Sequence, residues 1–157
     1  MSPAETPMPE IYNYREAGPL LATSGQPTVD QLRELAAQGF EAVINLALHN
    51  DPKYSLPDEA GLVRSLGLAY THIPVQFAEP TEQNLLDFFA AMDQSANRKT
   101  LVHCAANYRV TAFLGLYRVI RQNKAPEEAF ALMRQTWEAN PTWSAFIEAM
   151  LAKHAPR

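Results

Sequence analysis

The stretch Lys99-Thr100-Leu101-Val102-His103-Cys104-Ala105-Ala106-Asn107-Tyr108-Arg109-Val110 decides how this chain reads. Lys99 to His103 reads as a short strand. From Val110 to about Gln122 the residues are largely apolar, which predicts a buried helix. Cys104 then stands at the carboxyl end of a strand and Arg109 at the head of a helix, with a short loop between them. A loop that curls into a helix N-terminus turns its backbone N–H groups inward and makes an anion cup. Those donors and the helix dipole favour a thiolate over a thiol at Cys104. Arg109 gains nothing from the positive end of its own helix, so an anionic partner explains its place better than a solvated charge does. Its guanidinium fork suits two oxygens of one tetrahedral anion. The plain alternative is a buried, inert Cys104 beside a surface Arg109. The two residues in one strand–loop–helix pattern favour the reactive reading.

Outward from this segment, strand and helix signals alternate. Thr28 and Gln31 form a capping box for a first helix, and Gly39 stops it. Glu41 to Leu46 reads as a buried strand. Pro57, with Asp58 and Glu59 as helix-start charges, opens a second helix that ends at Gly67; a pocket role for these two carboxylates is the alternative. Leu68 to Ile73 is the next strand, closed by Pro74. Thr81 caps a third helix, with Leu85, Phe88, Phe89 and Met92 on one face. Two further helices, about 126–138 and 141–153, close the chain. Trp137 and Trp143 are expected to pack them against the core, and Gly115 to bring the helix after Arg109 close onto the sheet. Residues 1–18, punctuated by prolines, read as a loosely ordered lead-in, and 19–157 as a single domain. The fold class expected is α/β: a mostly parallel central sheet of four or five strands, with helices on both faces and Cys104 at a carboxyl strand end.

Composition narrows the chemistry. The chain has 157 residues, 47% of them apolar, and a net charge of −4. That is one globular core with no broad basic surface, so neither nucleic acid nor an acidic membrane face is an expected partner. One cysteine allows no intrachain disulfide. His49, His72, His103 and His154 are scattered without ligand spacing, so neither a metal nor another cofactor is expected. The first ten residues do not read as a signal peptide, and no apolar run is long enough to span a membrane. A reducing, cytoplasmic location is the expectation.

His103-Cys104 followed by Arg109 resembles the His-Cys…Arg signature of protein tyrosine and dual-specificity phosphatases. Ile44-Asn45-Leu46 and Gly67 to Val75 stand in the same order before it as in dual-specificity enzymes. A closer resemblance is to a bacterial phosphatase-like family, domain of unknown function 442 (DUF442). It is carried by Ser24-Gly25-Gln26-Pro27, Leu56-Pro57-Asp58-Glu59, Val102 to Val110 and Trp137 to Trp143, and covers roughly residues 20 to 148. The resemblance implies a cysteine phosphatase-like domain. Cys104 would be the nucleophile, Arg109 and the amides of Ala105, Ala106, Asn107 and Tyr108 the anion cup, and His103 a support for the loop.

The chain departs from that pattern in three places. Four residues separate Cys104 from Arg109 instead of five, which shortens the loop by up to about 3.5 Å. Asn107 is the residue best able to take the left-handed conformation in place of the usual glycine. Val110 stands where a hydroxyl residue normally follows the Arg; Thr111, one position on, is placed to reach the sulfur. Phe77 occupies the slot of the general acid, and Glu79 is the nearest carboxyl, so Glu79 is the candidate acid. The reading is a phosphate monoester hydrolase acting on a phosphorylated small molecule or phosphoprotein. Two alternatives stay open: a rhodanese-like sulfurtransferase or persulfide carrier, which also uses a six-residue cup and needs no acid, and an anion-binding pseudophosphatase.

Overall fold

A computed structural model describes residues 10–48 and 55–154. In chain order the elements are β1 (Arg15–Gly18), β2 (Leu21–Ser24), α1 (Val29–Ala37), β3 (Ala42–Asn45), α2 (Glu59–Ser65), β4 (Ala69–His72), α3 (Glu82–Gln94), β5 (Thr100–His103), α4 (Tyr108–Ile120), α5 (Pro126–Ala129), α6 (Ala131–Thr136) and α7 (Pro141–His154). The local signals explain most boundaries. Thr28 accepts from the Gln31 N–H while Gln31 reaches back, closing the capping box of α1, and Thr81 with Asn84 does the same for α3. Gly39 and Gly67 follow α1 and α2 with φ of 90° and 84°, a conformation glycine adopts without steric cost.

The sheet has five strands in the order β1-β2-β5-β3-β4. Only β1, which pairs with β2, runs antiparallel. The register places Ser24 and Asn45 on either side of His103, and His72 beside Asn45. The carboxyl ends of β2, β5, β3 and β4 therefore form one edge, and Cys104 follows from its centre. Successive residues of the inner strands face opposite cores. Val43 and Leu101 join Leu32, Leu35 and Val63 on the α1/α2 face, whereas Ile44 and Val102 join α3, α4 and α7 on the other. This is the mostly parallel, doubly covered α/β sheet expected.

Three details differ from the sequence reading. Residues 10–18, inside the expected lead-in, carry β1 and Ile11, which is buried in the α1/α2 core; residues 1–9 lie outside the described residues, as does His49. The helix expected over 126–138 is divided at Phe130 into α5 and α6. Gly115 does bring α4 close to a neighbour, but the neighbour is Phe130 and not the sheet. A Cβ on Gly115 would lie 2.2 Å from Phe130 Cδ1. The buried ring sits on the glycine, at the point where α5 gives way to α6. No helix among the described residues is long and apolar enough to cross a membrane.

Candidate active site

Cys104 follows the last residue of β5 and is fully buried. The loop after it is fixed by its carbonyls. Ala105 O accepts from the Gln26 N–H at 3.0 Å, and Ala106 O from Asn13 Nδ2 at 2.9 Å. Asn107 O accepts from the Thr111 N–H at 3.2 Å and from the Thr111 hydroxyl at 2.9 Å. Asn107 takes the left-handed conformation, φ 71°, that the missing glycine requires of it. Its Nδ2 donates to Asn13 O and Thr23 Oγ1, which anchors the turn to β2 and the segment before it. The carbonyls of Ala105, Ala106 and Asn107 are thus all held by the protein. Tyr108 and Arg109 are the first two residues of α4, so their N–H groups have no intrahelical acceptor.

Gly25 explains the close approach of the Ser24–Pro27 segment. A Cβ there would stand 2.6 Å from Ala105 O and 2.7 Å from Tyr12 Cδ2. Only glycine lets β2 run past the loop at this distance. Arg109 is 9% exposed, and Nη1 donates to Val75 O at 2.8 Å. Its other donors meet no protein acceptor among the described residues. A buried guanidinium with free donors beside a loop of amides is suited to an anion.

Behind Cys104 lies a buried polar network. His103 Nε2 stands 2.7 Å from Glu59 Oε2, and both side chains are essentially inaccessible. Gln26 Nε2 donates to Glu59 Oε1 at 2.7 Å. The Tyr70 hydroxyl lies beside this pair and accepts from Asn45 Nδ2 at 3.0 Å. Burial and then the Glu59 carboxylate push the Tyr70 hydroxyl well above the ordinary tyrosine range. On the far side, His103 Nδ1 lies 3.3 Å from Cys104 O.

The helix side of the loop is aromatic. Tyr108 stacks on Trp137 with ring centroids 4.8 Å apart and planes within 6°. Trp137 Nε1 donates to Thr111 Oγ1 at 3.1 Å. Phe77 packs at 5.7 Å from Trp137 and 5.9 Å from Trp143, whose Nε1 donates to Phe77 O.

Residues 12–146 match the family described as a dual-specificity (DSP-PTPase) phosphatase fused to NAD+ kinase. The chain belongs to this family. A DUF442 protein from Shewanella putrefaciens CN-32 is 34% identical, with a TM-score of 0.83 over 94% of this chain and 96% of that one. TpbA of P. aeruginosa shares the fold at 18% identity, with a TM-score of 0.70 over 94% of this chain and 91% of that one. Among curated proteins, the beta-lactamase hydrolase-like protein of Xylella fastidiosa (strain Temecula1) is 31% identical over 118 residues, 71% of this chain. The chain spans only 26% of that relative's length.

Set in this phosphatase family, the candidate residues fall into two groups. Cys104, Ala105, Ala106, Asn107, Tyr108 and Arg109 form one loop, with His103 beneath it. Thr111, expected at the sulfur, instead has its hydroxyl directed to the loop carbonyls of Asn107 and Tyr108. Glu79 is exposed, in a tight turn closed by its own N–H on Gln76 O. That turn begins directly after Val75, whose carbonyl holds Arg109.

The sequence reading took Glu59 first as a helix-start charge and left a pocket role only as an alternative. A carboxylate in the first turn of a helix reads as a dipole charge, and Asp58 is one: its side chain caps Gly61 N. Glu59 points the other way, into the protein. Asn13, Gln26 and Thr23 were missed, because their partners are loop atoms many residues away. Among the described residues, no cluster of three His, Cys, Asp or Glu side chains is arranged to hold a metal ion.

Proposed function

We propose that this chain hydrolyses phosphate monoesters through a phosphoryl group carried on Cys104. The observation that supports this most is the loop after β5. Its carbonyls are tied back by Gln26, Asn13 and Thr111, and Arg109 is buried beside it with donors that meet no protein acceptor among the described residues.

In the first step the Cys104 thiolate attacks phosphorus opposite the ester oxygen. The S–P bond forms, the P–O bond breaks, and the leaving oxygen departs with the bonding pair and takes a proton. Arg109 and the amides of residues 105–109 hold the three non-bridging oxygens. Water then attacks phosphorus, releases inorganic phosphate with one proton, and returns the thiolate. His103 supports the loop from beneath, and Thr111 fixes its carbonyls. Glu79, in the turn tethered to Arg109 through Val75, supplies the proton for leaving groups that need one. Aryl phosphates need little protonation, so they are the better substrates, and Glu79→Gln slows alkyl phosphates selectively. The substrate is a phosphorylated small molecule or a phosphoprotein, handled without a metal or other cofactor.

The four-residue spacing between Cys104 and Arg109 favours a second reading, in which the tight cup carries a persulfide. The covalent adduct separates the two. Intact-protein mass spectrometry after an aryl phosphate should show a phosphoryl group on Cys104, lost in Cys104→Ser. Stable loading of one sulfur from thiosulfate, with no phosphate released from the ester, would replace hydrolysis by sulfur transfer. Retention of phosphate without any adduct or turnover would make the chain a binding protein.

A further inference from the structure

We propose that Glu59 is a positioning residue for the Cys104 thiolate. Its buried carboxylate holds His103 as an imidazolium, which pins the Cys104 carbonyl and sets a positive charge behind the sulfur. The inference rests on the proposed role of Cys104 as nucleophile, but not on phosphorus as the electrophile.

Proton counting carries the argument. His103 Nδ1 faces the carbonyl of Cys104, which can only accept, so Nδ1 carries a proton. His103 Nε2 faces Glu59 Oε2 at 2.7 Å, and that contact needs a proton as well. The proton belongs either to the ring or to the carboxyl. The neighbours decide between them. Gln26 Nε2 donates to Glu59 Oε1 at 2.7 Å, and the Tyr70 hydroxyl lies near enough for the Glu59 carboxylate to raise it. Donors directed at a carboxylate favour its ionised form. Tyr70 is in turn held by Asn45 Nδ2, and Arg64 lies over its ring, 5.9 Å from the centroid. Gln26 thus keeps Glu59 ionised, and the shared proton sits on His103. An unpaired imidazolium at 0% exposure would be too costly to keep, so the carboxylate is what makes the charge sustainable next to Cys104.

The chain reaches this arrangement through three separate segments. Glu59 comes from the first turn of α2, Gln26 from the loop after β2, and His103 from the end of β5. The Ser24–Pro27 and Leu56–Glu59 segments therefore meet at one carboxylate. Their joint task is to set the electrostatics of residue 104.

Glu59→Gln tests the charge without dismantling the network. The new amide oxygen can accept from Gln26, while its NH2 donates to the now neutral Nε2 of His103. The Nδ1–H to Cys104 O bond survives, and only the charge is lost. Alkylation of Cys104 by iodoacetamide reads the thiolate without any phosphate chemistry. In mildly acidic solution Glu59→Gln should react more slowly than the native chain by about threefold to tenfold, the loss of one partly compensated charge. In alkali, where either thiol is ionised, the two rates should converge. Equal rates throughout would overturn the proposal. So would a slowing by the same factor at every pH, which reports access to the sulfur and not its charge. Should the variant fold poorly, nitrogen-15 NMR of the native chain decides. His103 is the only fully buried histidine among the described residues. Two slowly exchanging ring N–H protons on it support the pair, and a single one refutes it. If alkylation and NMR behave as stated but no phosphate ester is cleaved, the phosphatase reading fails and the role of Glu59 stands.

Discussion

The loop from Cys104 to Arg109 is held from two sides by different physics. On the strand side the restraints are short and directional: Glu59 to His103 at 2.7 Å, Gln26 to Glu59 at 2.7 Å, and Asn45 to Tyr70 at 3.0 Å. On the helix side they are rings. Tyr108 lies on Trp137, Phe77 packs against Trp137 and Trp143, and one indole N–H reaches Thr111. A buried polar network is satisfied or broken as a unit, because each lost partner strands another polar group. Ring packing degrades by increments, since many small contacts share the energy. The strand side should therefore govern whether the loop exists and how its sulfur is charged. The helix side should govern how well the mouth is shaped.

The largest expected effect breaks the polar side. Glu59→Ala leaves His103, Tyr70 and Gln26 facing a cavity. Removing one partner of a buried ion pair should cost about 3–5 kcal/mol, visible as a drop in the denaturant midpoint. A loss under about 1 kcal/mol would show that water enters and replaces the carboxylate. The next effect tests packing on the opposite face. Gly115→Ala places a methyl where the Phe130 ring lies, 2.2 Å from Cδ1, and should cost about 1–3 kcal/mol. Phe130→Leu made in the same chain should recover part of that loss, because the two changes share one contact. Additive losses would mean that the helices shift instead of the ring.

The parts of this molecule that were legible in the sequence are those whose partners lie within a few residues. Thr28 with Gln31, Thr81, Asp58, Gly39 and Gly67 mark the helix ends through bonds made locally, and the helices begin and stop there. The loop from Cys104 to Arg109 was legible because Cys104, Asn107 and Arg109 are consecutive in effect. β1 and β2 were not. Each has four residues, and their stability comes from pairing with one another and with β5, about 80 residues on. The break at Phe130 depends on Gly115, in another helix. Glu59 was read as a helix-start charge because its partners, Gln26 and His103, lie 33 and 44 residues away. A carboxylate beside a well-placed cap such as Asp58 was the available hint, since one residue already served the helix end.

A third prediction compares the two sides through their tyrosines. Burial and Glu59 raise Tyr70; burial and the bond to Asp93 raise Tyr117 by less. A phenol whose folded value is raised keeps its proton after the unfolded chain has lost it. Its contribution to stability is therefore complete below the ordinary tyrosine range and falls as the pH rises through and above that range. Stability should decline in alkali. Tyr70→Phe should flatten the decline more than Tyr117→Phe, as read from denaturant midpoints across an alkaline series. The reverse order would place the stronger proton linkage on the α4 side.

The smallest expected effect is also the sharpest test of the division. Trp137→Phe keeps a ring on Tyr108 but removes the N–H that reaches Thr111 Oγ1 at 3.1 Å. Thr111 keeps its own donation to the carbonyls of Asn107 and Tyr108, so no donor is stranded and the loop keeps its shape. The cost should be about 1 kcal/mol, that of one part-buried hydrogen bond. Thr111→Val alone also takes the hydroxyl from those carbonyls, leaving Asn107 O with the backbone N–H of residue 111, and should cost more. In a double-mutant cycle the pair should couple, since the second change finds the bond already gone. Against Glu59→Gln the expected pattern crosses. The indole change lowers stability slightly and leaves Cys104 alkylation unaltered, while the carboxyl change alters alkylation with little loss of stability. If Trp137→Phe slows alkylation as much as Glu59→Gln does, with the same dependence on pH, the rings share in setting the charge of the sulfur. The two sides of the loop would then be one device.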